Sequence, residues 1–135
     1  MFLRTSGCNL HCVFCDTPYT WNWQGTSFEH PEKFNPKTEV HQMTSEEIIQ
    51  RLNELNGVKA LVISGGEPLL QQQKLIPLLQ QLREEGYWIE IETNGTILPD
   101  DEFIELIDQI NCSPKLSNSG KDNPSSIREI PEVLS

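Results

Sequence analysis

The stretch Lys59-Ala60-Leu61-Val62-Ile63-Ser64-Gly65-Gly66-Glu67-Pro68 decides the fold. A short, nearly all-apolar run cut off by two glycines and a proline has the pattern of a parallel strand buried on both faces. Upstream, Thr44-x-x-Glu47 forms a capping box that opens a helix, with Ile48, Ile49, Leu52 and Leu55 on one apolar face and Gly57 as its stop. Downstream, residues 71–85 read as a second helix ended by Gly86, in which Pro77 marks either a late start or a kink. Tyr87 to Glu92 alternates, with Ile89 and Ile91 on one side, and reads as a strand. Pro99 and Asp100 begin another helix carrying Phe103, Ile104, Leu106 and Ile107, and Ile110 to Leu116 reads as a further strand. Phe2-Leu3-Arg4 looks like the tail of a strand. This alternation predicts an α/β fold with a parallel sheet and right-handed crossovers.

Residues 1–135 read as one unit, short for a catalytic α/β fold. Within it, residues 18–43 carry Trp21, Trp23, Pro18, Pro31 and Pro36 with no clean period, and read as a long loop or insertion. From Ser117 the composition turns to Asn, Ser, Gly, Lys, Asp and Pro, expected of a loop with at most a short helix after it. Ten basic against twenty acidic side chains give a net charge of −10. That balance argues against non-specific nucleic-acid binding and against an anionic membrane surface as a partner. No apolar run is long enough to cross a bilayer, and Met1-Phe2-Leu3-Arg4 does not resemble a secretion signal. The expected location is therefore the cytoplasm, with the cysteines reduced and available to metals.

Three of those cysteines lie together in Gly7-Cys8-Asn9-Leu10-His11-Cys12-Val13-Phe14-Cys15-Asp16-Thr17. Spacings of four and three let one loop wrap three thiolates around a compact centre. A structural zinc site, or a cluster that only carries electrons, closes its shell with a fourth ligand, and no cysteine or histidine follows close behind. A three-thiolate [4Fe–4S] cluster leaves one iron open to a further ligand, which points to catalysis. A zinc knuckle, a disulfide or a chance trio remains the alternative. Cys112, alone near the other end, reads as a small buried residue at a strand end.

Ligands of parallel α/β folds gather at the carboxyl ends of the strands. Strand 59–64 ends in Gly65-Gly66-Glu67-Pro68, where the glycines permit close backbone approach and Glu67 offers a carboxylate to an ammonium group. Strand 87–92 ends in Glu92-Thr93-Asn94-Gly95-Thr96, read either as a plain Asn-Gly turn or as a wall with Thr93 and the Gly95 backbone facing the cleft. The last strand carries Ser113-Pro114-Lys115, with Lys115 where a carboxylate or ribose would need a donor.

Cys-x3-Cys-x2-Cys with Phe14 before the last cysteine, followed one strand later by Gly-Gly-Glu-Pro, resembles the radical S-adenosylmethionine (SAM) enzymes. Arg4, Cys15-Asp16-Thr17, Glu-Thr-Asn-Gly-Thr and Ser-Pro-Lys narrow the resemblance to the 7-carboxy-7-deazaguanine synthase family of the queuosine pathway. The resemblance implies a partial parallel (β/α) barrel, incomplete at both ends. Members of the family carry an N-terminal Gln-Gly-Glu-Gly element and further C-terminal strands, so this chain is expected to be a fragment. It implies Cys8, Cys12 and Cys15 as ligands of a [4Fe–4S] cluster and Thr17 as a magnesium ligand. SAM would lie against Phe14, Cys15, Asp16, Gly66, Glu67, Gly95, Ser113, Pro114 and Lys115, and the pterin substrate against Arg4 and Thr93. The implied reaction is radical conversion of 6-carboxy-5,6,7,8-tetrahydropterin to 7-carboxy-7-deazaguanine with loss of ammonia. The implied partners are an electron donor such as flavodoxin or ferredoxin, with room for a homodimer. A glycyl-radical activating enzyme shares the cysteine spacing and the Gly-Gly-Glu-Pro turn, and an iron–sulfur or zinc binding module is the non-enzyme alternative.

Overall fold

A computed structural model describes residues 1–134. Four strands, β1 (Phe2–Thr5), β2 (Ala60–Gly65), β3 (Trp88–Thr93) and β4 (Gln109–Cys112), form one parallel sheet in sequence order. The register aligns Thr5 with Gly65, Ile63 with Ile91, and Thr93 with Cys112. All four carboxyl ends therefore emerge on one rim. Helices α1 (Pro36–Glu39), α2 (Ser45–Leu55), α3 (Gln72–Glu84), α4 (Asp101–Ile104), α5 (Ser125–Arg128) and α6 (Pro131–Leu134) lie between and after the strands.

The two faces of the sheet differ in chemistry because side chains alternate along each strand. Leu61, Ile63, Ile89 and Ile91 point to one face and are buried against Leu75, Ile76, Leu78, Leu79 and Leu82 of α3, with Leu52 of α2 and Phe103 of α4. The other face carries the register row Arg4, Ser64, Glu92 and Asn111. The expectation of a strand buried on both faces holds for one face of β2, while Ala60 and Val62 on the other are only half-buried.

Thr44 caps α2 through the expected box: its hydroxyl accepts from the Glu47 N–H, and the Glu47 carboxylate accepts from the Thr44 N–H. The stop is Asn56 in the left-handed region (φ 45°) and not Gly57, since asparagine also tolerates that conformation. Leu55 at the last turn is exposed. Pro77 sits inside α3, which starts at Gln72 after a single 3-10 turn from Pro68; five buried apolar side chains on that helix offset the missing N–H. The last strand stops at Cys112 instead of reaching Leu116, because Pro114 has no N–H to extend a ladder. Cys112 is exposed and not buried as the sequence implied, since β4 is an edge strand.

The 18–43 segment is ordered by a polar framework. Trp23 and Phe34 pair in an isolated bridge, and the Lys33 ammonium donates to Asn22 Oδ1 at 2.8 Å, Thr26 Oγ1 at 3.3 Å and the Phe28 carbonyl at 2.9 Å. Asn22 is fully buried and its amide donates to the His30 and Glu32 carbonyls.

Asp108, just before β4, accepts from the Ile89 N–H at 2.7 Å and from Arg83 Nη1 at 2.5 Å. Desolvation alone would push its carboxyl up, but these donors and the Arg83 charge outweigh it and hold the carboxyl below its ordinary value. A depressed folded value means the contribution is present above the ordinary carboxylate range and is lost as pH falls through the folded value. Asp108→Ala is expected to cost about 1–2 kcal/mol at neutral pH, read by denaturant unfolding. The gap between variant and wild type should close on acidification; a gap that persists in strong acid would show that the pairing is not the cause.

Candidate active site

The site is built where the cysteine loop lies across the rim of the sheet. The chain leaves β1 and turns at Gly7 (φ 100°), whose N–H donates to the Thr20 carbonyl at 2.7 Å. The Gly7 carbonyl accepts from the Glu67 N–H at 2.8 Å, and the Gly66 N–H donates to the Thr5 carbonyl at 3.2 Å. A Cβ on Gly66 would stand 2.1 Å from the Gly7 oxygen and 2.8 Å from Cys8 Cβ. Glycine is required there because the cysteine loop rests on its backbone.

Cys8, Cys12 and Cys15 are free thiols on the wall of one cleft of about 400 Å³, which Phe14, Asp16 and Thr17 also line. Among the described residues, no three His, Cys, Asp or Glu side chains converge closely enough to share one metal ion. A zinc site needs its donors around a single centre, whereas a cluster takes each thiolate on a separate iron. Three thiols of one loop on one cleft wall are a donor set of the kind that iron–sulfur clusters take. Burial pushes the Cys8 thiol from its ordinary 9.0 up to about 12, with the Leu10 backbone N–H pulling it back and the neighbouring acidic groups adding to the rise. Burial also raises Cys12, with Lys115 and Asn123 opposing. Thiols in this state are neutral at physiological pH, so metal loading releases protons.

Glu67 is the most deeply committed acid of the molecule. It is fully buried, and its Oε1 accepts from the Leu69 N–H at 3.0 Å and the Thr93 hydroxyl at 2.8 Å, while Oε2 accepts from the Asn94 N–H at 2.7 Å. Burial raises its carboxyl and these donors, with the Lys115 charge, pull it back. The carboxylate faces inward, where it caps the Pro68–Gln71 turn. The signal was present in Glu-Pro itself, since proline at the first helical position puts the residue before it in the capping place.

The other expected residues divide by position. Arg4, Phe14, Cys15, Asp16, Thr17, Gly66, Thr93, Ser113 and Lys115 line the cleft. Gly95 and Pro114 do not: Gly95 (φ 75°) sits behind the wall against Cys112 Sγ and donates its N–H to Thr93 Oγ1 at 3.2 Å. The turn spends the Gly95 N–H locally. Thr93 lines the cleft with its hydroxyl committed to Glu67. Arg4 is exposed, with its guanidinium 4.9 Å over the Phe2 ring, and Lys115 Nζ donates to Ser113 Oγ at 2.8 Å.

Sequence reading assigned no role to three side chains beside the sulfurs: Trp21, Asn94 and Asn123. Asn94 had a legible signal in Asn-x-Thr, because its Oδ1 accepts from the Thr96 N–H and hydroxyl at 3.1 and 2.6 Å in an Asx-type turn. Asn123 lies 111 residues from its partner Cys12, and no local pattern could have paired them.

A parallel sheet with a three-thiol loop over its carboxyl rim, backed by a Gly-Gly turn, defines the class as an α/β iron–sulfur protein of partial (β/α)-barrel form. The chain belongs to the radical SAM superfamily, whose family model matches residues 2–116. It is similar to the 7-carboxy-7-deazaguanine synthase of Rhodopirellula baltica, at 39% identity over 92% of this chain and 42% of that protein. It is also similar to those of Pyrobaculum aerophilum (37%, covering 92% and 50%) and Bacillus subtilis (34%, covering 88% and 44%). The chain thus spans about half the length of these curated relatives. The crystal structure of QueE from Escherichia coli shares the fold, with a TM-score of 0.52 at 23% identity over 81% of this chain and 59% of that one.

Two substitutions test this construction. Gly66→Ala should displace Gly7 and Cys8, lowering stability by about 1–3 kcal/mol and the iron bound per chain after anaerobic reconstitution; full iron loading with an unchanged melting curve would sink the close-approach argument. Glu67→Gln swaps one acceptor oxygen for a donor, so one of the backbone N–H groups of Leu69 and Asn94 is left unpaired in either amide orientation. The expected cost is about 1–3 kcal/mol; calorimetry showing wild-type stability would mean the carboxylate is not what joins the strand ends.

Proposed function

We propose that this chain forms the catalytic core of a radical SAM lyase that converts 6-carboxy-5,6,7,8-tetrahydropterin to 7-carboxy-7-deazaguanine with loss of ammonia. The observation that carries the reading is the sharing of one cleft by the three loop thiols and by the carboxyl ends of β2, β3 and β4, the last bringing Cys112, in a chain whose relatives bear that synthase name. Cys8, Cys12 and Cys15 would hold a [4Fe–4S] cluster. The cluster and SAM, when bound, supply a carbon-centred radical that removes hydrogen from the substrate.

The chain's own residues would bind, orient and shield. Gly66 lines the cleft at the β2 end and would meet SAM with its backbone. Ser113 and Lys115 put a hydroxyl and an ammonium at the β4 end, suited to the carboxylate or ribose of SAM, while exposed Phe14 and Asp16 would flank the adenine. Arg4 offers a guanidinium for the substrate carboxylate, with Thr93 beside it on the wall. The Thr17 hydroxyl would reach a magnesium ion that keeps substrate and water oxygens as its remaining ligands. That hydroxyl lies 3.6 Å from Cys15 Sγ, so ion and cluster would be neighbours. A small electron-transfer protein would reduce the cluster. Among the described residues, no helix is long and apolar enough to cross a membrane.

The test uses the protein anaerobically reconstituted with iron and sulfide. Wild type and Cys112→Ala should bind the cluster and form 7-carboxy-7-deazaguanine from the pterin with SAM, reductant and magnesium, detected by mass spectrometry. Alanine at Cys8, Cys12 or Cys15 should abolish both. Thr17→Ala should weaken apparent magnesium affinity by at least about tenfold while SAM binding persists. SAM cleavage without any deazaguanine product would refute the substrate, and cluster loss in Cys112→Ala would refute the ligand set.

A further inference from the structure

Each sulfur of the cysteine loop is met by one neutral side-chain N–H, and the three donors come from separate parts of the chain. Trp21 Nε1, from the 18–43 segment, donates to Cys15 Sγ at 3.3 Å. Asn123 Nδ2, from the loop before α5, donates to Cys12 Sγ at 3.5 Å. Asn94 Nδ2, just past the end of β3, approaches Cys8 Sγ at 3.9 Å. All three side chains are buried.

They are also held in place by contacts that do not involve the sulfurs. Asn123 Oδ1 accepts from the His11 N–H at 2.7 Å, and its amide also donates to the Ser119 carbonyl at 3.2 Å. Asn94 Nδ2 donates to Asn9 Oδ1 at 3.0 Å while its oxygen is taken by Thr96. The Trp21 indole is fixed edge-on among the rings of His11, Phe28 and His30. A buried donor is costly without a good acceptor, and a thiol sulfur is a weak one. Aiming three preset donors at three thiols is poor design for neutral sulfur and good design for anionic sulfur.

We propose that Trp21, Asn123 and Asn94 are positioning residues that stabilise the more negative, reduced state of the cluster held by Cys15, Cys12 and Cys8, and so raise its reduction potential. The proposal rests on the cluster reading above. Reduction adds an electron whose charge spreads onto the sulfurs, and fixed N–H dipoles aimed at those sulfurs favour the state that carries it. Trp21 and Asn123 carry the larger share because their contacts are shorter. None of the three donors is a charged group, so the effect does not depend on a protonation equilibrium of the donor.

The test measures the midpoint potential of the reconstituted cluster by EPR-monitored titration in wild type, Trp21→Phe and Asn123→Asp. Phenylalanine keeps an aromatic ring among His11, Phe28 and His30 and removes the N–H. Aspartate keeps the acceptor for the His11 N–H and replaces the donor with an acceptor beside Cys12. Both variants should shift to lower potential at wild-type iron content, Asn123→Asp further than Trp21→Phe. Either variant suffices if the other fails to fold. Wild-type potentials in fully loaded variants would overturn the proposal while leaving the cluster intact. Absence of iron from wild type itself would instead overturn the cluster reading, and this inference with it.

Discussion

Burying the Glu67 carboxylate is the constraint from which the rest of the site follows. A carboxylate removed from water without partners is prohibitively unfavourable, so the strand ends around it must supply donors, and they do: Leu69 from the turn after β2, Thr93 and Asn94 from the end of β3. Those three donors have to converge on one point, which sets β2 and β3 at the same height on the rim. The adjoining Gly66 backbone is thereby held against Gly7, and the cysteine loop inherits its position from that contact. The acid thus acts through geometry: it positions the floor on which the thiols stand.

The cysteine loop is then fastened from above and from both sides. His30 Nε2 lies 3.0 Å from the Cys15 carbonyl, Val13 donates to the Ser119 carbonyl at 3.0 Å, and Asn9 donates to Thr96 at 2.7 Å. A loop fixed at this many points loses little further freedom on filling, so ligand binding is not opposed by a large ordering cost. The 18–43 segment, which sequence reading treated as an insertion of unassigned role, is one of the fasteners. Its polar framework around Asn22 and Lys33 holds Trp21 and His30 at Cys15. Polar residues with every donor matched specify one arrangement where an apolar cluster of similar size would tolerate several.

Legibility in the sequence followed the range of the interaction. The Thr44–Glu47 box, the apolar β2 run and the alternation at Ile89 and Ile91 are local, and each formed where its pattern placed it. Cysteine spacing is local too, and it put three thiols on one wall. What the sequence misjudged depends on partners far away in the chain. The bonding of the Glu67 carboxylate to the end of β3 was out of view because Thr93 and Asn94 lie 26 and 27 residues away. Cys112 looked buried because an edge strand cannot be told from a central one by four residues. Asn123 had no pattern that could tie it to Cys12.

The polar face of the sheet explains why this chain forms part of a barrel and not half of a doubly wound sandwich. Parallel sheets are ordinarily covered by helices on both faces, with apolar strands to match. Here helices α2, α3 and α4 cover only the face of Leu61, Ile63, Ile89 and Ile91. A helix laid on the opposite face would have to bury Arg4 and Glu92, which stand in one row across the sheet with Ser64 between them. Removing those charges from water without full pairing would cost more than the apolar area of Phe2 and Val62 could return. The face is stable only against water, or against a ligand rich in hydrogen-bonding groups. Curving the sheet around such a space keeps its polar side chains solvated while the helices close the apolar side. Arg4, Ser64, Glu92 and Asn111 all line the same cleft as the three thiols. The alternation within each strand therefore builds the hydrophobic core on one side and the reaction cleft on the other.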